Sequence, residues 1–256
     1  MSKVMKQFLC FVVLLSAVGY GPLLAMKWTF QEVLSNPLGI LLFGLACLAP
    51  ALSAVLVYVL NKEEKGGLSQ LWKDITAQKK AHPWVLMLYF LFLHYGLLFL
   101  CNLVGELGTI GGFLKSLPVM LILFGSQEIG WRLILQPALE KYRGFWKGNI
   151  ALGMIVSLWF LPAVMMPGFY VGPAFYLVLA IYLVGLNLLQ STIRNQGGSI
   201  LTCIVFTTLF FALNEFFILF QSSNVMFMVI ADLVMAFTFK SKIFKENRKD
   251  QGLLDP

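Results

Sequence analysis

Apolar residues run along this chain in long blocks, each bounded by short polar or charged stretches. A helix needs about 20 apolar residues to cross the hydrocarbon core of a bilayer, so blocks of this length predict transmembrane helices. The predicted spans lie at about 7–26, 38–60, 83–104, 116–137, 149–166, 172–190, 199–220 and 224–239. The expected fold is therefore an all-α polytopic membrane protein, a bundle of about eight transmembrane helices.

Composition supports this class. Hydrophobic residues make up 59% of the 256 residues and charged residues only 12%, whereas a soluble domain has roughly 25% charged residues. The spans leave no room for a separate soluble domain. We therefore expect a single membrane domain over 1–256, with a core at about 117–239 and a polar cytoplasmic tail at 240–256. The cysteines lie in apolar segments without a CxxC pair, so they predict neither a disulfide framework nor a zinc site.

The basic residues lie mostly in the loops on one side of the predicted bundle. With the N-terminus in the cytoplasm, only Lys27 and Lys115 fall on the far side and only Arg132 falls within a span. The positive-inside rule thus predicts a multi-pass protein of the cell membrane with both termini cytoplasmic. The net charge of +7 is explained by contact with anionic lipid headgroups and does not indicate nucleic-acid binding. The amphipathic loop 61–82 is expected to lie on the cytoplasmic face.

One predicted span carries two opposite charges, Glu128 and Arg132. A charge at the bilayer centre costs roughly 2.5–3.5 kcal/mol on insertion scales, so it is rare without a partner or a function. Residues four apart share one face of a helix, which predicts an ion pair. Gly125 and Gly130 leave room for close helix contact. Two interpretations stay open: a buried pair that fixes helix packing, or a site in a membrane cavity.

Several further polar residues fall within the predicted spans: His94, Asn102, Gln127, Asn187, Asn214, Glu215 and Asp232. His94 is interpreted as a hydrogen-bonded packing residue, and Asp232 as a residue that reaches the interface. Glu215 needs a partner or water, and Arg132 is a candidate partner. If the spans enclose a cavity, His94, Asn214 and Glu215 are its candidate polar residues. Zinc needs three or four converging ligands. His94, Glu128 and Glu215 could supply them, but nothing in their spacing requires it, so no metal site is predicted.

Three short segments carry a recognisable pattern: residues 127–132, Gln-Glu-Ile-Gly-Trp-Arg, residues 157–162, Ser-Leu-Trp-Phe-Leu-Pro, and residues 198–201, Gly-Ser-Ile-Leu. Together they resemble the motifs of the CAAX-protease and bacteriocin-processing (CPBP) intramembrane endopeptidases. Residues 127–132 are similar to the Glu-Glu-x-x-x-Arg motif that opens the active site of this family. Residues 157–162 resemble its Trp-His-Leu-Pro segment, and 198–201 its Gly-Ser-x-x start before a His-x-x-x-Asn motif. The resemblance covers about residues 117–215. It implies the family's helical bundle, with a cavity open to the membrane.

The same resemblance places substitutions at the family's chemical positions. The first glutamate of the pair is Gln127, and the histidine of the second motif is Phe160. The histidine and asparagine of the third motif fall, without gaps, on Thr207 and Phe211. The matching positions that are retained are Glu128, Trp131, Arg132, Trp159 and Pro162. These retained residues are assigned to architecture, and the resemblance makes Glu128 and Arg132 the candidate catalytic residues if activity is retained.

The third motif can also be aligned with a shift, which puts Asn214 at the asparagine position and Phe210 at the histidine position. In both alignments one carboxylate and both imidazoles are missing together. Losing a single general acid or base typically costs about 10²–10⁴-fold in rate, and phenylalanine cannot bind a metal. The sequence therefore predicts a relative that has lost metal-dependent proteolysis and needs no cofactor.

The favoured function is thus a catalytically impaired relative that binds a hydrophobic or lipidated peptide, or another membrane protein. The resemblance implies roles in peptide or bacteriocin processing, immunity or regulation. The first alternative is an active intramembrane endopeptidase that cleaves CAAX-type or leader peptides. It would use Glu128 as base, with His94 or Glu215 as replacement ligands and zinc as cofactor. The second alternative is a small transporter component, which a continuous polar path or an inverted repeat would favour; the sequence shows no repeat.

Overall fold

The computed structural model describes residues 2–78, 81–100, 107–169 and 176–217, with single positions at 230, 234 and 237. Every regular element in these ranges is helical, which confirms the all-α prediction. The helices are α1 Lys3–Ala25, α2 Phe30–Ser35, α3 Pro37–Leu60, α4 Lys62–Lys65, α5 Gly67–Thr76, α6 His82–Leu100, α7 Ile110–Met120, α8 Glu128–Gly130, α9 Gln136–Val164, α10 Tyr176–Asn195 and α11 Ile200–Phe216.

Within the described ranges, five helical stretches are long and apolar enough to cross a membrane: Lys3–Ala25, Pro37–Leu60, His82–Leu100, Ile110–Val164 and Tyr176–Asn195. A sixth apolar helix, Ile200–Phe216, is shorter. A multi-pass helical membrane protein is therefore confirmed, while the count of eight spans and the cytoplasmic termini stay predictions. Asn102, Asp232, the tail 240–256 and nearly all of the predicted span 224–239 lie outside the described residues.

A sharp turn at Gly144 divides the 55-residue stretch Ile110–Val164. Gly144 has φ 69° and ψ 176°, a backbone conformation that is essentially restricted to glycine. On the two sides of this turn, Asn149 Nδ2 donates to Glu140 Oε1 at 2.6 Å. The chain therefore folds back on itself, and its two arms correspond to the predicted spans at 116–137 and 149–166.

We expect Gly144→Ala to lower the free energy of unfolding by about 1–3 kcal/mol, because a Cβ is strained at this φ and ψ. Crowding does not contribute, since nothing lies within 4 Å of the position of that Cβ. Gly111→Ala is the control at an equally uncrowded helical position, where alanine is neutral or stabilising. Thermal unfolding of the purified variants measures the difference, and equal effects of the two substitutions would contradict the assignment.

The loop predicted to be amphipathic forms α5, which packs its buried side against the protein. Leu71 and Ile75 are buried and join a cluster with Tyr58 of α3 and Ile200 of α11. The other apolar side chains of this helix are exposed, Trp72 by 67%. The predicted amphipathic pattern is confirmed, and the contact with α11 fixes the start of that helix next to α3.

Candidate functional site

The helix around Glu128 changes its winding twice. Two π-helical turns, Leu121–Gly125 and Trp131–Leu135, flank the short helix α8. A π turn holds one more residue than an α turn, and such turns occur frequently at functional sites. The one additional residue in each π turn rotates the helix, so the side chains that face the interior of the bundle differ before and after Glu128.

Two glycines bring this segment into direct contact with neighbouring helices. A Cβ on Gly125 would overlap the hydroxyl of Thr208 on α11, and a Cβ on Gly130 would overlap the carbonyl oxygen of Pro50 on α3. The close helix contact predicted for these glycines is thereby confirmed. It places Glu128 between α3 and α11.

The guanidinium of Arg132 is buried and uses all of its N–H donors. Nε donates to Glu128 Oε2 at 2.6 Å, which confirms the predicted ion pair. The remaining four bonds run to Gln136 Oε1 at 3.3 Å, Ser191 Oγ at 3.0 Å, Asn187 Oδ1 at 2.7 Å and Gln190 Oε1. Because a guanidinium has five N–H groups, this cluster satisfies the charge completely.

The cluster continues on both sides of Arg132. Towards α11, Gln190 Nε2 donates to Glu128 Oε1 at 3.1 Å and to Thr207 Oγ1. Both oxygens of the Glu128 carboxylate therefore accept hydrogen bonds from protein groups.

Towards the turn at Gly144, Ser191 Oγ donates to Asn149 Oδ1 at 2.6 Å. From there the bonds converge on Glu140 Oε1, which accepts from Asn149 at 2.6 Å, from Gln136 at 2.9 Å and from Asn195 at 3.0 Å. A continuous hydrogen-bonded network thus runs from α11 through the ion pair to the turn between the two arms.

Sequence reasoning missed most partners of Arg132. It noted Asn187 as an intramembrane polar residue but did not connect it to the arginine, and it did not single out Gln190 or Ser191. The signal was present in the spacing: positions 187, 190 and 191 lie three and four residues apart, so they share one face of α10. A polar face on an apolar helix predicts a buried polar partner.

A cavity of about 370 Å³ lies next to Glu128 and is lined mainly by apolar side chains. Its wall includes all four positions at which the family resemblance expects chemical groups: Gln127, Phe160, Thr207 and Phe211. The structure therefore brings together residues that are up to 84 positions apart in the sequence, counted from 127 to 211. Arg132 instead lines a separate polar cleft of about 290 Å³.

The prediction that His94, Asn214 and Glu215 are polar residues of the cavity is wrong for two of them, because His94 and Asn214 do not line it. His94 is 1% exposed, and its ring centroid lies 4.9 Å from that of Tyr95 and 4.9 Å from that of Phe210. Asn214 Oδ1 accepts from Tyr95 Oη at 2.7 Å, and its Nδ2 donates to Tyr182 Oη at 3.1 Å. Both residues hold α6, α10 and α11 together.

Glu215 lines the cavity and is exposed near the end of α11. The suggestion that Arg132 is its partner is wrong, because the five donors of Arg132 bind other acceptors. His94, Glu128 and Glu215 also do not converge: within the described chain, no three His, Cys, Asp or Glu side chains group to hold a metal ion. The ligand set that the zinc-dependent alternative proposed, His94 or Glu215 with Glu128, is therefore not assembled among the described residues.

Comparison with models of known protein families gives no match for this chain, and comparison with curated proteins gives none either. The resemblance to the CPBP endopeptidases therefore stays a prediction from three short motifs. The cavity and the polar network are the features on which a function is proposed.

Proposed function

We propose that this protein is a catalytically impaired CPBP-like membrane protein whose cavity binds a hydrophobic or lipidated peptide. The observation that carries the proposal is the apolar cavity of about 370 Å³ beside Glu128. Phe160 and Phe211 contribute apolar rings to its wall, at positions where the resemblance expects a histidine and an asparagine. Their side chains suit contact with an apolar ligand and supply no group for proton transfer.

The hydrogen bonds of Glu128 also support binding rather than cleavage. A general base must reach the proton that it removes, directly or through one water. Glu128 accepts from Arg132 at 2.6 Å and from Gln190 at 3.1 Å, so its carboxylate already bonds to the protein. The neighbouring amide of Gln127 donates to the carbonyl of Leu123, and an amide cannot act as a base.

Selectivity in such a cavity cannot come from the hydrophobic effect alone. A lipid tail is as apolar as a leucine side chain, so an apolar ligand gains little by moving from the bilayer into the protein. Shape, aromatic contact and a few polar groups must then supply the preference. Asn187, Gln190 and Thr207 are the neutral hydrogen-bonding groups that line the cavity beside Gln127.

We expect Val156→Trp, which fills part of the cavity, to weaken binding of a fluorescent S-farnesyl-cysteine peptide at least about tenfold, or about 1.4 kcal/mol. Val156 lines the cavity. Met154 lies two residues away and is 57% exposed, so Met154→Trp is the matched control and should bind like wild type. Fluorescence anisotropy of the purified protein in detergent measures both affinities. Equal affinities for the two variants would exclude this cavity as the binding site.

The same peptide distinguishes binding from proteolysis. The wild-type protein is expected to return the peptide intact after prolonged incubation, as judged by mass spectrometry. Cleavage that disappears in Glu128→Gln would instead favour the active endopeptidase, with Glu128 as its base.

A further inference from the structure

Aromatic rings form much of the cavity wall. Six aromatic residues line it: Phe124, Trp131, Trp159, Phe160, Phe169 and Phe211. The rings of Phe124 and Phe211 stack with centroids 4.0 Å apart and planes 14° apart. The rings of Trp131 and Trp159 meet edge to face at 5.8 Å. The negative face of an aromatic ring attracts cations, and tryptophan is the strongest of the three ring types.

Among the described residues, the charged side chains of the cavity wall are of one sign. They are the carboxylates Glu128 and Glu215. Arg132 neutralises Glu128 at 2.6 Å. Glu215 takes part in none of the ion pairs or side-chain hydrogen bonds found among the described residues. Because it is exposed, it places a net negative charge beside the aromatic rings.

We propose that the ligand of this cavity carries a positive charge, an amine or quaternary group, next to its apolar part. This inference rests on the proposed function and specifies the class of ligand. The bilayer offers an apolar group the same surroundings as the cavity does, but it does not offer aromatic faces beside a carboxylate. A cation is therefore attracted twice, by the rings and by Glu215, whereas an anion of the same shape is repelled by both.

Tetraphenylphosphonium and tetraphenylborate test the inference, since they have nearly the same size and shape and opposite charge. Equilibrium dialysis of each ion against the purified wild-type protein, with and without excess farnesyl peptide, measures its binding. The part of the binding that the peptide displaces is assigned to the cavity, which cancels partitioning into detergent. We expect the cavity to bind the phosphonium ion at least tenfold more tightly than the borate ion.

Two substitutions test the origin of the preference. Glu215→Gln should weaken phosphonium binding about fivefold, as expected for a unit charge at about 4 Å in water-like surroundings. Phe160→Leu should weaken it further, because a ring face is lost. Glu64→Gln removes an exposed carboxylate on α4, which does not line the cavity, and should leave the affinity unchanged. A preference that survives both Glu215→Gln and Phe160→Leu would overturn the inference.

The outcomes of these experiments distinguish the inference of a positively charged ligand from the proposed peptide binding on which it rests. If the borate ion binds as tightly as the phosphonium ion, and the farnesyl peptide displaces both, the positive charge is excluded and the peptide-binding cavity stands. If Val156→Trp does not weaken binding of the peptide, and the peptide displaces neither ion, both proposals fail.

Discussion

Arg132→Met should lower the free energy of unfolding by about 3–5 kcal/mol, the cost of breaking a buried ion pair by removing one partner. The substitution leaves the Glu128 carboxylate buried without its cation. It also removes the donor from the side-chain oxygens of Asn187, Gln190 and Ser191 on α10. Each of these groups is buried and then loses a hydrogen bond, and an unpaired buried polar group is costly.

One opposing effect makes this prediction informative. An arginine at the bilayer centre costs roughly 2.5–3.5 kcal/mol on insertion, so its removal alone would favour the membrane-inserted state. A net decrease in the free energy of unfolding would therefore show that the hydrogen-bonded network around Arg132 stabilises the fold by more than this insertion cost. Arg132→Lys keeps the charge but offers three donors instead of five and should fall between wild type and Arg132→Met.

The control for this pair of variants is Arg143→Met, because Arg143 is exposed near the turn at Gly144. It should change the free energy of unfolding by no more than about 0.5 kcal/mol. Unfolding in mixed micelles, followed by circular dichroism, measures all three variants. If Arg132→Met unfolds like Arg143→Met, the network does not stabilise the fold.

Gly130→Ala is the second substitution with a large expected effect, about 3 kcal/mol, at the upper end of typical overpacking costs. The new Cβ would overlap the carbonyl oxygen of Pro50, lie 2.7 Å from its carbonyl carbon and lie 2.9 Å from a ring carbon of Phe8. Pro50 presents backbone, which has no rotamer to change. The segment around Glu128 must therefore move away from α3.

Gly44→Ala provides the comparison on α3 itself. Nothing lies within 4 Å of the Cβ that this substitution adds, and alanine is favoured over glycine in a helix by up to about 1 kcal/mol. It should be neutral or stabilising. Equal losses of stability for Gly130→Ala and Gly44→Ala would show that α3 and the Glu128 segment are not in close contact.

The sequence predicted the features that depend on local spacing. Glu128 and Arg132 pair because four residues bring them to one helix face, and that geometry survives the π turn that follows Glu128. Gly125 and Gly130 indicate close helix contacts because glycine has no Cβ, so their positions in the sequence show where a neighbouring helix can approach the backbone. A break between the predicted spans 116–137 and 149–166 was also expected, whereas its position at Gly144 was not.

Contacts between distant segments were not predicted, since they depend on how every helix packs. The arginine finds its partners on α10, 55 to 59 residues further along the chain. Glu215 carries no local signal to show that it faces a cavity rather than Arg132. For His94, the interpretation as a packing residue agrees with its burial between the rings of Tyr95 and Phe210.

The long separation between Arg132 and its partners has a consequence for biosynthesis. Asn187 follows Arg132 by 55 residues, and ribosomes add roughly 5–20 residues per second. For roughly three to eleven seconds after Arg132 is added, its guanidinium has only Glu128 and Gln136 of its five partners. The three acceptors on α10 are absent until that helix is synthesised. A helix that is synthesised later thus supplies the hydrogen-bond acceptors of an arginine synthesised earlier. A chain truncated before α10 would leave that arginine with unpaired N–H donors.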